Sequence, residues 1–176
     1  MKLRYLIGLL FGLLILTTTA AAQADTRDAT REKLRAALAA TGPKVNIEFR
    51  QSDKNPYNFI GVLNTGLTNA DSFEVVVGVT NDATIGFRIY PHYRGAYINF
   101  NRAANVQGLA RQLLRLSDTN FLFWGMDETG DVFAGYTFTL ESGFPEQSIR
   151  VVLYSIKPLD QYVGEIKINV GGPQSH

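Results

Sequence analysis

Only two histidines, His92 and His176, could serve as a general base of the usual kind. A hydrolytic triad holds its nucleophile against such a base, and a third group orients the base. His176 is the last residue, and His92 stands between Pro91 and Tyr93, where a half-exposed loop histidine is expected. No Gly-x-Ser-x-Gly motif is present. Two histidines cannot supply a three-histidine zinc site, and neither has a carboxylate at ligand spacing. The chain has no Cys, which removes thiolate nucleophiles, thiolate metal ligands and disulfides. Neither a metal nor a cofactor is expected.

Carboxylates crowd one short segment, Asp127-Glu128-Thr129-Gly130-Asp131. Asp127, Thr129 and Asp131 imitate the alternating oxygen ligands that open a calcium loop. The bidentate acid required further along is missing, because Thr137 and Phe138 fall in the next strand. A solvated hairpin turn is the expectation. The glycines are scattered, with no Gly-x-Gly-x-x-Gly after a strand and no phosphate loop with its Lys. Glu141 and Asp118 with Tyr136 are the members available to a carboxylate-dependent enzyme or a small-ligand pocket, and nothing in their spacing gathers them.

The aromatic residues are more unusual. Phe121, Phe123, Trp124, Phe133, Tyr136 and Phe138 fall within one hairpin. Both faces of its first strand are apolar, Phe121 and Phe123 on one and Leu122, Trp124 and Met126 on the other. A sheet covered by helices on one side should be polar on the other. Two readings stand. Helices cover most of both faces, or the second face is a self-association or partner surface carried by Leu122, Trp124, Met126, Tyr136 and Phe138. Large exposed apolar patches seldom persist without a partner. Basic residues are not interleaved with these aromatics, which argues against a single-strand nucleic-acid platform.

These residues need elements to hold them. Asp25 to Thr41 predicts a helix, with Thr26 or Asp28 as cap, Leu34, Ala37, Leu38 and Thr41 on one stripe, and Gly42-Pro43 as stop. Four strands are expected next: Val45 to Phe49, Tyr57 to Leu63, Phe73 to Thr80 and Ile85 to Tyr90, each alternating with period two. Pro91 and Gly95 then interrupt the strand pattern, leaving Tyr93, Tyr97 and Phe100 in an irregular or edge segment. Asn101 to Leu116 predicts a second helix with Val106, Leu109, Ala110 and Leu113 inward. Phe121 to Met126 and Val132 to Leu140 form the hairpin. A third helix opens at Pro145 and keeps Ile149, Val152, Leu153, Ile156, Leu159, Val163 and Ile166 on one face, with a kink at Pro158. The fold class is therefore α+β, a largely antiparallel sheet with three helices in the order α-β-β-β-β-α-β-β-α.

The N-terminus has the three parts of a cleavable export signal. Lys2 and Arg4 precede an apolar run of 12 residues, Tyr5 to Leu16, and Ala22-Gln23-Ala24 supplies the cleavage site. That run is short of the roughly 20 residues a spanning helix needs. Residues 1–24 are read as the signal, 25–170 as a single domain and 171–176 as a loose tail. The signal carries two of the 17 Lys and Arg and none of the 16 Asp and Glu, so the mature balance is slightly acidic although the whole chain is +1. Nothing in that charge attracts nucleic acid or an anionic membrane. A periplasmic or secreted location is the expectation, with no membrane insertion after cleavage.

From Leu113-Leu114-Arg115-Leu116-Ser117-Asp118-Thr119-Asn120 onward, through the hairpin with Gly130 in its turn and the long helix from Pro145, the chain resembles the YbjN family, putative bacterial sensory transduction regulators. The resemblance implies the fold of type III secretion chaperones, small, α+β and often dimeric. It carries no catalytic motif. Most members are cytosolic, and the export signal departs from that pattern. The expectation is an exported, non-catalytic domain that binds a protein partner or itself, as a homodimer, in a chaperone-like or regulatory role.

Overall fold

The computed structural model describes residues 26–81 and 84–171. Residues 1–24, read above as an export signal, and the tail beyond Gly171, His176 included, lie outside them. Helix α1 covers 26–41. It tightens into a 3-10 turn at Gly42–Val45 and reverses at Asn46, whose φ of 59° is left-handed. The Ile47 N–H then closes back on the Gly42 carbonyl at 2.9 Å. A side chain at Gly42 would collide with the Ile47 carbonyl, so this reversal requires glycine. The strand expected over 45–49 is absent for the same reason. Val45 belongs to the 3-10 turn and the Ile47 N–H is already spent, so ladder pairing begins only at β1, Arg50–Gln51.

Strands β2 (Asn58–Leu63), β3 (Ser72–Val79), β4 (Thr84–Tyr93), β5 (Ala96–Tyr97), β6 (Phe123–Met126) and β7 (Val132–Thr139) complete the sheet. All pairings are antiparallel, in the spatial order β1-β2-β3-β4-β7-β6, with β5 added to the end of β4. β4 runs through Pro91, which lies beyond the last β4–β7 pair, Ile89 with Ala134, so its missing N–H costs no bond on that side.

Helix α2 is Val106–Thr119, shifted by several residues from expectation. Asn99 caps a short 3-10 turn at Phe100–Arg102, and Asn105, not Asn101, caps α2 by accepting the Gly108 N–H. Leu109, Leu113 and Leu116 face inward while Val106 is exposed. The expected third helix is two, α3 (Glu146–Ser155) and α4 (Leu159–Val170), because Pro158 ends the ladder between them. Its apolar register survives the break, since Ile149, Val152, Leu153, Ile156, Leu159, Val163 and Ile166 are all buried. The fold is α+β as expected, with four α-helices and seven strands among the described residues.

One core joins these elements. Phe73, Val75, Val77 and Val79 of β3 lie in register with Pro91, Ile89, Phe87 and Ile85 of β4. This sheet face packs in a single apolar cluster with Leu34 and Leu38 of α1, Leu109 and Leu113 of α2, Ile149 of α3 and Val163 of α4. Among the described residues no helix is long and apolar enough to cross a membrane.

Candidate binding face

The opposite face of the sheet is set by the same register. One row runs Asn58, Gly78, Gly86, Thr137 across β2, β3, β4 and β7. The next runs Ile60, Val76, Arg88, Gly135 and ends on Phe123 of β6. A third brings Val62, Glu74 and Tyr90 together, with Phe133 and Gly125 paired alongside. Neighbours in such rows stand about 5 Å apart, so each row is a strip of touching side chains. Tyr90 and Phe133 are buried, yet neither belongs to the main core.

They instead join a chain of rings across this second face. Phe123 meets Phe133 at 5.8 Å, Phe133 meets Tyr90 at 5.6 Å, Tyr90 meets Tyr97 at 5.7 Å and Tyr97 meets His92 at 4.2 Å between centroids. The Arg88 guanidinium lies 5.0 Å from the Phe133 ring centre. The outer members stay open, with Phe123 45%, Val62 44% and Tyr97 37% exposed. A two-layer fold that buries aromatics on the side away from its helices carries a second, partly covered apolar surface.

The expected partner residues fall on the other side. Leu122, Trp124 and Phe138 are at most 8% exposed and belong to the main core, and Tyr136 packs half-buried against it. Only Met126, at the strand end, is exposed. Leu122, Trp124 and Phe138 are too buried to form the surface expected of them, and Tyr136 offers only its half-exposed part. The register is the reason, because Trp124 lies opposite Ala134 of the core face while Phe123 lies over Gly135 of the open one. The residues missed, Phe123, Phe133, Tyr90 and Ile60, were marked by Glu74 and Arg88, which alternate with the core residues of β3 and β4.

Searches against protein-family models, curated proteins and solved structures find no match for this chain.

The remaining candidates are spent on structure. The Asp127 carboxylate accepts the Thr129 N–H at 3.0 Å, the Thr129 hydroxyl at 2.7 Å and the Asp131 N–H at 3.0 Å. Burial by itself would raise its pKa, but these bonds hold it below the ordinary carboxylate value. Asp131 in turn accepts from Asn99 at 2.8 Å, and Gly130 takes a φ of 87° that the turn requires. Among the described residues no group of three His, Cys, Asp or Glu could hold a metal. Asp118 is exposed on α2, and Glu141 lines a groove with Thr30 and Lys33 that Tyr136 does not reach. The carboxylate set is therefore not assembled. The His92 Nε2 is buried without a hydrogen-bond partner, against the Tyr97 ring rather than a nucleophile.

Burial pushes the Tyr97 hydroxyl up to about 12, and the charge of Glu74 beside it acts in the same direction. Tyr90 is also raised, by burial first, against the opposing effect of Arg88. Both phenols therefore stay neutral at physiological pH and act as hydrogen-bonding aromatics, not as bases.

Proposed function

We propose that this chain is a non-catalytic, exported binding domain that engages a protein partner, or a second copy of itself, through the helix-free face of its sheet. One observation carries the reading. Phe123, Val62 and Tyr97 are exposed on that face around the buried pair Tyr90 and Phe133. Water does not favour such a surface, and a partner that covers it gains the apolar area. The resemblance to the YbjN family, whose fold is linked with dimeric secretion chaperones, supports a binding role. The export signal read at residues 1–24 moves the site of action to the periplasm or the exterior.

Light scattering on the eluting protein tests the reading. A dimer that Phe123→Asp converts to monomer, or a monomer that recovers an envelope protein only with Phe123 intact, supports it. A strict monomer that recovers no partner with Phe123 present or absent ends it.

A further inference from the structure

Glycine in the interior of a strand costs roughly 0.5–1 kcal/mol relative to alanine, and usually marks a tight packing contact or a close approach. The open face carries four strand glycines, Gly125 on the edge strand β6 and three on neighbouring strands, Gly78, Gly86 and Gly135. Two have internal explanations. A side chain at Gly78 would strike Asn58, and one at Gly135 would strike the Phe123 ring. Gly86 has none. A β-carbon there would meet nothing within 4 Å, and its φ is not in the left-handed range. The side-by-side pair Gly78 and Gly86 thus forms the floor of a trough of about 650 Å³.

The walls of this trough are charged in one sense. Arg88 stands in the next row and Arg27 closes one end, while no carboxylate among the described residues lines it. Arg27 is held by the Tyr57 ring, 3.5 Å below the guanidinium, and donates to the Val79 carbonyl at 2.8 Å. Arg88 forms no ion pair at 4.0 Å or less with any described carboxylate. Glu74 stands beside Tyr97, and on the side of Arg88 away from the trough lie Asp127, held by its own turn and by Tyr90, and Glu128. Asn58 and Thr137 supply amide and hydroxyl groups at the two ends of the glycine row, and Phe123 and Phe133 supply an apolar wall.

We infer that this trough is a binding site for a small organic anion with a planar apolar body. Its carboxylate-like head pairs with the Arg88 guanidinium, whose fork geometry suits a two-oxygen anion. Its body lies over Gly86 against the Phe123 and Phe133 rings. The inference goes beyond partner binding and shares Phe123 with it, while Val62 and Tyr97 lie outside the trough.

Benzoate and the isosteric, neutral benzamide are the probes, titrated into the full chain and followed by backbone amide chemical shifts. Saturable shifts at Gly78, Gly86 and Arg88 are expected with benzoate, about tenfold tighter than with benzamide, the step given by one charge-assisted hydrogen bond of ordinary strength. Gly86→Leu should abolish these shifts with the spectrum otherwise preserved, because its side chain enters open space. Arg88→Met should equalise the two probes. Equal affinity of the two probes for the unaltered chain, benzoate binding that survives Gly86→Leu, or shifts centred on Val62 and Tyr97 would each overturn the inference. A monomer that binds benzoate in the trough but recovers no partner would leave this site standing and remove the partner reading alone.

Discussion

The Ser117 hydroxyl accepts the backbone N–H of Trp124 at 2.7 Å, while its own proton is shared between the Leu113 carbonyl at 2.9 Å and the Trp124 carbonyl at 3.3 Å. β6 is an edge strand, and an edge offers unpaired groups to any other strand. A side chain from α2 occupies them at the centre of β6. Ser117→Ala leaves the Trp124 N–H without its acceptor and should cost about 1–3 kcal/mol in urea unfolding. It should also raise concentration-dependent association in light scattering. Unchanged stability and association together would show that water replaces the hydroxyl at no cost.

Asp160, in the first turn of α4, holds the segment before β3. Its carboxylate accepts the N–H groups of Thr68 at 2.8 Å, Asn69 at 2.9 Å and Ala70 at 2.8 Å. Partial burial favours the neutral acid, but these donors outweigh it and the pKa is lowered. A carboxyl with a depressed folded pKa contributes stability above its unfolded value, about 3.9, and loses it as pH falls through the folded value. Asp160→Ala should therefore cost about 1.5–3 kcal/mol at pH 7 and less in acid, so the two unfolding curves converge as pH drops. A constant gap between wild type and variant down to the acid limit would exclude the charge as the cause.

The α+β class and the inward faces of β3 and of the helices, Val106 apart, were legible in the sequence, because period and apolar spacing are local properties. Leu109 and Leu113 of α2 and the run from Ile149 to Ile166 show this. Pro158 was legible as a kink but not as a full stop, since apolar spacing continues across it. The binding face was not legible at the hairpin. Both sides of Phe123-Trp124 are apolar, so the pattern within the strand is silent about which side meets the helices. Only the register, Trp124 opposite Ala134 and Phe123 opposite Gly135, decides it. That register depends on pairing with distant residues, which periodicity does not encode.

Tyr97 gives a test at the opposite end of the pH scale. Its folded pKa of about 12 exceeds the ordinary phenol value of about 10. An acid whose folded pKa is raised contributes stability fully below the unfolded value, and loses it as pH rises through the folded one. Unfolding midpoints should therefore fall between roughly pH 10 and 12. Tyr97→Phe, which keeps the rings stacked on Tyr90 and His92, should flatten part of that fall. Tyrosinate absorbance titration should show one late-titrating phenol fewer in the variant. An unchanged titration would assign the late phenol elsewhere.

The adjacent residues Phe123 and Trp124 separate binding from folding. Phe123 projects onto the open face at 45% exposure, whereas Trp124 is 6% exposed in the main core and stands edge-on to Tyr162 at 6.4 Å. Replacing a buried Trp by Ala costs about 3–5 kcal/mol, and Asp adds an unpaired buried charge. Trp124→Asp should abolish cooperative unfolding, and any loss of association in that variant reports on the fold alone. Phe123→Asp loses only the open-face contacts with Gly135 and Phe133 and should cost about 1 kcal/mol of unfolding free energy, the centre of ordinary point-substitution effects, while association or partner capture is lost. Retained association in a folded Phe123→Asp variant would place the contact surface elsewhere on the molecule.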